Sequence, residues 1–295
     1  MFFLSSEFPP APASNARFHI LPAPMECGVS YGRGTANGPA AILEASQQLE
    51  AFDGHSSPGG AGIYTAPAVM PAANEPEAWL DAIERVVASS LTCHNAVPIL
   101  LGGEHTVTLG AARAFKKAGR EIGFLHFDAH ADLRDTYEGS PFSHACVMRR
   151  VHELGFPIVQ IATRAYSREE HDYRAAHPQT LRAFDAETLV PFVPSAPSVP
   201  FVPSVPFIPS DFPKHIYVSF DVDAWDPSLM PATGTPVPGG LDWFGALRIL
   251  QSALKGRILA AADVVELAPI PSLPHASFTA ARMVYALMGL AQTGM

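Results

Sequence analysis

The sequence predicts an α/β protein with a mostly parallel central sheet and helices on both faces. Short β-branched or apolar runs alternate with helix-period segments along the chain, the pattern of βα units rather than of hairpins. Three of those runs end in residues of metal-ligand type: Gly102-Gly103-Glu104-His105-Thr106, His126-Phe127-Asp128-Ala129-His130-Ala131-Asp132, and Phe220-Asp221-Val222-Asp223. In a parallel sheet the carboxyl ends of strands share one edge, where such folds build their sites.

Each element has its own warrant. Residues 1–16 carry small residues and prolines and are expected as a surface arm. Arg17 to Leu21 reads as the first strand. The Gly-rich stretch from Gly28 to Gly38 lacks the GxGxxG spacing of a phosphate cradle and reads as a tight loop near a site rim. Pro39 suits the start of a helix running to Glu50. Residues 53–74 read as loop. Glu75 to Cys93 is an amphipathic helix with Trp79, Ile83, Val86 and Val87 on one side. Strand Val97 to Leu101 leads to His105, and Val107 to Ala118 is helical. Ile122 to Leu125 is a short buried strand before Asp128. A loop from Leu133 to His144 follows, then a helix from Ala145 to Leu154, a strand from Pro157 to Ile161 and a helix from Ser167 to Ala176.

Prolines then fall at 191, 194, 197, 200, 203, 206 and 209. That period matches polyproline II, and the absence of glycine excludes collagen. The segment 191–213 reads as a surface insertion. The alternative is an arm whose Phe192, Phe201 and Phe207 pack on a neighbouring subunit. The run from Ile216 ends in Asp221 and Asp223, before a Pro/Gly-rich loop from Ala224 to Gly240. A helix from Leu241 to Leu254, a strand from Ile258 to Leu267 and a helix from Ser277 to Leu290 complete the chain. Glu266 stands at the end of that last strand, where a carboxylate in an apolar run signals function or a buried ion pair.

Composition narrows the classes. With 48% apolar and 16% charged residues over 295 positions, the chain can bury a full core as a single domain spanning 1–295. A formal charge of −9 argues against a nucleic-acid partner and suits a cationic ligand. Cys27, Cys93 and Cys146 form no CxxC, as in a reduced cytoplasmic protein. Met1 to Ser6 is too short and lacks the basic residues of a signal peptide, and no stretch predicts a membrane span.

The ligand-type residues define the chemistry. Asp128, His130 and Asp132 sit at i, i+2 and i+4, so an extended chain points them the same way. Carboxylates with imidazole and no thiolate suit a hard or borderline ion, Mn²⁺ before Zn²⁺. His105, Asp128, His130, Asp132, Asp221 and Asp223 are six ligands, more than one ion needs. Two ions sharing carboxylates is the economical reading.

The motifs GGEHT, HFDAHADLR, SFDVDAWDP, PATGTPVPGG and VVELAP occur in an order that resembles the ureohydrolase family of arginases and agmatinases, closest to the bacterial and archaeal agmatinases. The resemblance implies a three-layer α/β/α fold of the arginase/deacetylase type, two Mn²⁺ per subunit, and a homotrimer or homohexamer. By motif position, His105 and Asp132 would bind one ion, His130 and Asp223 the other, and Asp128 and Asp221 both. The bridging Asp128, with Glu266 and His144, would form the catalytic group. Glu266 would hold a planar guanidinium, and His144 would shuttle a proton to the departing amine. Attack by a hydroxide bridging the ions would yield urea and an amine.

The substrate would be a small cationic guanidino compound. Arginases carry Asn two residues beyond the DxHxD motif, where this chain has Arg134, followed by Asp135 and the YEGSPFSH loop. That loop resembles the agmatinase type, so agmatine, giving putrescine, is the expected substrate. An arginine there could also bind a carboxylate, which leaves arginase and guanidinobutyrase activity open. A metal-depleted paralogue acting as a binding module and a one-zinc deacetylase share the fold, but the complete six-ligand set weighs against both. Ala162-Thr163-Arg164 departs from the family's more usual Gly-Ile-Arg.

Overall fold

The protein is described by a computed structural model covering residues 1–189 and 208–293. In chain order the elements are β1 (Phe18–Ala23), α1 (Gly38–Ala45), β2 (Ile63–Thr65), α2 (Pro76–Leu91), β3 (Val97–Gly102), α3 (Val107–Lys117), β4 (Gly123–Phe127) and α4 (Val147–Glu153). Then come β5 (Ile158–Ile161), α5 (Arg168–Ala176), β6 (Leu181–Phe184), α6 (Ala186–Leu189), β7 (His215–Asp221), α7 (Trp243–Leu254), β8 (Ile258–Val265) and α8 (Pro274–Thr293). Among the described residues the strands form one eight-stranded sheet in the order β2-β1-β3-β8-β7-β4-β5-β6. Every pairing is parallel.

The apolar runs explain that sheet. β3 and β4 are buried at every residue, and β7 at every residue after His215. That is the pattern of strands covered on both faces. Side chains divide between faces with period two: Leu125, Phe127, Val218 and Phe220 join α1, α7 and α8 on one side. Phe124 and Tyr217 join α2, α3 and α4 on the other. The result is the three-layer α/β/α architecture.

The strand order decides where the chemistry sits. β3, β8, β7 and β4 are consecutive in the sheet although their segments are scattered through the chain. Each delivers its ligand-type residues at its carboxyl end, beside the point where the order of connections reverses. Residues as distant in sequence as His105 and Asp221 thus become neighbours.

Several expectations are corrected. The arm at residues 1–16 is anchored at its start: Phe3 and Leu4 are buried, and their N–H groups donate to Thr65 Oγ1 and Ser46 Oγ at 2.9 Å. Apolar side chains there found core surface to cover. Residues 53–74, expected as loop, contain β2, and β6 and α6 also escaped the sequence reading. Both strands are short edges, of three and four residues, and edge segments carry little periodic signal. The helix from Pro39 ends at Ala45, continued by a 3₁₀ turn at Ser46–Gln48. The strand expected to reach Asp223 stops at Asp221, and a 3₁₀ turn carries Val222–Ala224. Of the proline-triplet segment, 191–207 lies outside the described residues; Ile208, beyond it, is buried. No helix among the described residues is long and apolar enough to cross a membrane.

Ala162, at the carboxyl end of β5, has a left-handed backbone, φ +73°, and is fully buried. That conformation costs a non-glycine residue roughly 1–2 kcal/mol, which gives a physical reason for glycine at this place in the resembling sequences. Glycine would return part of the gain through the freer unfolded chain and the lost methyl burial. Ala162→Gly is therefore expected to stabilise the protein by up to about 1 kcal/mol, read as a raised denaturation midpoint. A lowered midpoint would mean that methyl packing outweighs the backbone strain.

Candidate metal centre and substrate cavity

The six ligand-type side chains meet at the sheet edge in two groups that share Asp128. His105 Nδ1 lies 3.1 Å from Asp128 Oδ2, 3.3 Å from Asp132 Oδ2 and 3.2 Å from Asp221 Oδ2. His130 Nδ1 lies 3.0 Å from Asp223 Oδ2 and 3.5 Å from Asp128 Oδ1. All except the half-buried His130 are buried. The backbone aims three of the carboxylates by holding one oxygen of each. Asp128 Oδ1 accepts the His130 N–H at 2.6 Å, Asp221 Oδ1 the Asp223 N–H at 2.8 Å, and Asp223 Oδ1 the Ala129 N–H at 2.9 Å. In each, the second oxygen faces a histidine.

The donor set fits metal ions, and His105 supplies the test. Its Nδ1 is buried without a hydrogen-bond partner, although three carboxylate oxygens surround it. Its Nε2 lies 2.8 Å from Ser219 Oγ, whose own hydroxyl donates to Asp263 Oδ1 at 2.9 Å. Thr108 Oγ1 and Tyr217 OH donate to Asp263 Oδ2 at 2.7 and 2.8 Å. Ser219 therefore accepts the Nε2–H, and Nδ1 is the ring nitrogen left to face the carboxylates, the one whose lone pair an ion would take once its proton is displaced. This is the arrangement in which an outer carboxylate sets a ligand histidine's tautomer. His105, Asp128, Asp132 and Asp221 could hold one ion, and His130, Asp223 and Asp128 a second.

Electrostatics tell the same story. Burial, then the neighbouring aspartates, pushes Asp221 well above the ordinary carboxylate range and also raises Asp132 and Asp223. Burial alone would raise Asp128 too, but His126, His105 and His130 together hold it well below that range. Burial would lower the histidines; Asp223 and Asp128 instead drive His130 up to about 12, and the carboxylates around His105 drive it well above its usual value. The cluster thus holds protons that a divalent cation must displace, so cation affinity rises with pH.

Two residues next to the ligands were missed from sequence. His126 was quoted at the head of the Asp128 motif but given no role. Arg174 Nε donates to Gln160 Oε1 at 2.8 Å, which turns the Gln160 amide nitrogen toward His126 Nδ1 at 3.0 Å. That leaves His126 Nε2–H to donate to Asp128 Oδ2 at 2.9 Å. Both ring nitrogens are used, so His126 steadies a ligand rather than acting as one. Glu104, quoted within GGEHT but given no role, is fully buried. Its Oε2 accepts the Cys27 and Gly28 N–H groups, both at 2.6 Å. The signal was there in each case, a polar residue in or just after an apolar run, but the partners that fix the role, Gln160 for His126 and Cys27 for Glu104, are 34 and 77 positions away.

Glu266 and His144 also converge. Glu266 Oε1 accepts the His105 N–H at 2.7 Å and lies 3.2 Å from His144 Nδ1. Burial would lower His144, but Glu266, aided by Asp132 and Glu104, raises it to about 9. A cavity of about 300 Å³ opens over the cluster, lined by Ser30, His130, Asp132, Arg134, Tyr137, His144, Glu170, Asp221 and Thr235 among others. Arg134 is its one arginine; the guanidinium lies 4.9 Å from the centre of the Tyr137 ring, with Nε 4.0 Å from Glu170 Oε2. Gly28 to Gly34 is a loop at the rim that brings Ser30 to the cavity, as its sequence reading expects, and a 3₁₀ turn at Thr35–Asn37 leads from it into α1. A larger groove of about 500 Å³ between α7 and α8 contains neither candidate metal group.

Comparison with known proteins adds a family. Residues 16–289 match the family described as the arginase family. The chain is 35% identical, over 94% of its length and 89% of the relative's, to the N(1)-aminopropylagmatine ureohydrolase of Synechocystis sp.. It is 32% identical, over 96% of its length and 95% of the relative's, to the agmatinase of Pyrococcus horikoshii. The crystal structure of the agmatine ureohydrolase of Thermoplasma volcanium superposes with a TM-score of 0.81 at 24% identity, covering 99% of this chain and 94% of that one.

Proposed function

The chain belongs to the arginase family as an agmatinase-like ureohydrolase, and we propose that it hydrolyses agmatine to urea and putrescine at the Asp128-centred cluster. The observation that carries this reading is the placing of the Glu266–His144 pair against His105 beside the acid-lined cavity. Glu266 offers a carboxylate to a planar guanidinium, and paired N–H···O bonds fix its plane. His144, held charged by Glu266, stands ready to give a proton to the amine that departs. Beyond the candidate ligands Asp132 and Asp221, the cavity carries one carboxylate, Glu170, and one arginine, Arg134. Arg134 already has the Tyr137 ring and Glu170 as neighbours, so its charge is partly spent before a carboxylate could claim it.

His105 and Asp132 would hold one divalent ion, His130 and Asp223 the second, with Asp128 and Asp221 serving both. We assign manganese from the hard oxygen and imidazole donors. Bound there, the pair supplies an activated water and neutralises the charge that develops on the guanidino group. A second reading, the N1-aminopropyl derivative of agmatine, is favoured by the name of the relative at 35% identity.

The test is urea release from manganese-loaded protein offered agmatine, N1-aminopropylagmatine, L-arginine and 4-guanidinobutyrate separately. Preference for either of the first two supports an agmatinase-type site and chooses between the readings. Preference for arginine or guanidinobutyrate makes Arg134 a carboxylate receptor and removes both.

A further inference from the structure

We propose that Ser30 is the outward end of a proton relay beginning at His144, and that the Gly-rich loop exists to hold it there. This rests on the urea-releasing reading above. Both ring nitrogens of His144 are engaged by the protein: Nδ1 lies 3.2 Å from Glu266 Oε1, and Nε2 lies 3.0 Å from Ser30 Oγ. With Glu266 accepting at Nδ1, Nε2–H is the donor toward Ser30. Ser30 and His144 both line the cavity, and the imidazole, its side chain 12% exposed, has Ser30 Oγ as the protein partner of its Nε2. A hydroxyl donates and accepts at once, so a proton leaving by Nε2 has a path through Ser30.

The step balances. The His144 Nε2–H bond breaks as a bond from that proton to Ser30 Oγ forms. The Ser30 O–H bond breaks as its proton bonds to the departing amine nitrogen, whose C–N bond cleaves. Ser30 is regenerated as a hydroxyl, and His144, left neutral, recovers its proton from water by the same path.

The loop is built for this placement. Glu104 Oε2 gathers the Cys27 and Gly28 N–H groups before Ser30. Beyond it, Glu26 Oε2 gathers the Gly34 N–H at 2.7 Å, Thr35 Oγ1 at 3.0 Å and the Ala36 N–H at 3.1 Å. Two carboxylates thus pin the loop on either side of the serine. Ser143 Oγ donates to Gly28 O at 3.3 Å, which ties the loop to the residue preceding His144. Gly32 packs so closely on Gly234 that a Cβ would lie 2.7 Å from the Gly234 Cα.

The test compares Ser30→Ala and Ser30→Thr with the parent, manganese-loaded and turning over agmatine. The alanine variant should lose kcat by on the order of 10²-fold with KM nearly unchanged, and threonine, which keeps the hydroxyl, should recover most of it. An alanine variant within twofold of the parent kcat, or a threonine variant no better than alanine, overturns the relay. A separate readout needs no turnover: nitrogen-15 histidine spectra of the zinc-loaded proteins. There Ser30→Ala should move the His144 Nε2 resonance and leave Nδ1 in place. An unmoved Nε2 resonance overturns the proposal even if the parent cleaves none of the guanidino compounds, an outcome that by itself counts only against the functional reading.

Discussion

Asp128→Asn should lower urea release by on the order of 10³-fold or more and leave fewer than two ions bound per chain. Asp128 belongs to both candidate metal groups of the described residues. Its Oδ2 lies 3.1 Å from His105 Nδ1 and its Oδ1 3.5 Å from His130 Nδ1. An amide keeps the volume, but it removes the negative charge and turns an N–H₂ toward one of the two positions. Metal-assisted charge stabilisation supplies several kcal/mol, and each ~1.4 kcal/mol is a factor of ten. The substitution removes the charge shared by both positions, so losses smaller than a hundredfold would be unexpected for it. Outer residues should cost less: His126, which only steadies Asp128, falls in the roughly 10–100-fold range of such partners. Metal analysis beside the urea assay checks the account. An Asn variant that keeps two ions and near-parental activity would remove Asp128 from the bridging role.

The candidate ligands were legible because their chemistry is local. Spacing of i and i+2 at the end of an apolar run is visible without knowing where the run goes in the sheet, and the central strands are apolar enough to be found. What brings the ligand-bearing segments together is the order β3-β8-β7-β4, which no local pattern encodes. The family resemblance implied the three-layer fold but named no strand order. Long-range hydrogen bonding explains the residues that escaped. Glu104 and His126 sit inside quoted motifs, yet their roles depend on Gly28 and Gln160, which pattern cannot pair with them. Ser30 lay in a loop correctly placed at the rim, and only its distance to His144 gives it a role. β2, β6 and α6 were missed for the opposite reason, being too short to show a period.

Glu266→Gln should leave the metals in place and still cut kcat/KM by roughly 10²–10⁴-fold. Glu266 holds a left-handed backbone, φ +64°, and is 2% exposed. Such strain costs about 1–3 kcal/mol and survives where the surroundings impose it. Here the Glu266 N–H donates to Gly103 O at 2.8 Å, and its Oε1 accepts from the His105 N–H. The side chain is thus fixed from both ends before any substrate arrives. Glutamine can preserve the bond to His105 with its carbonyl oxygen, so the fold and ligand positions should persist. Its N–H₂ then faces the guanidinium, donor against donor. Two charge-assisted hydrogen bonds at about 1.5–3 kcal/mol each give the range stated. His144 loses its counter-charge as well, so its pKa should fall from about 9 toward the usual histidine value. A glutamine variant with two ions bound and parental kcat/KM would reduce Glu266 to a strut beneath His105. Loss of metal alongside activity would place it in the ligand scaffold instead, and either result would move the search for the guanidinium partner to Glu170, the cavity carboxylate outside the candidate ligand set.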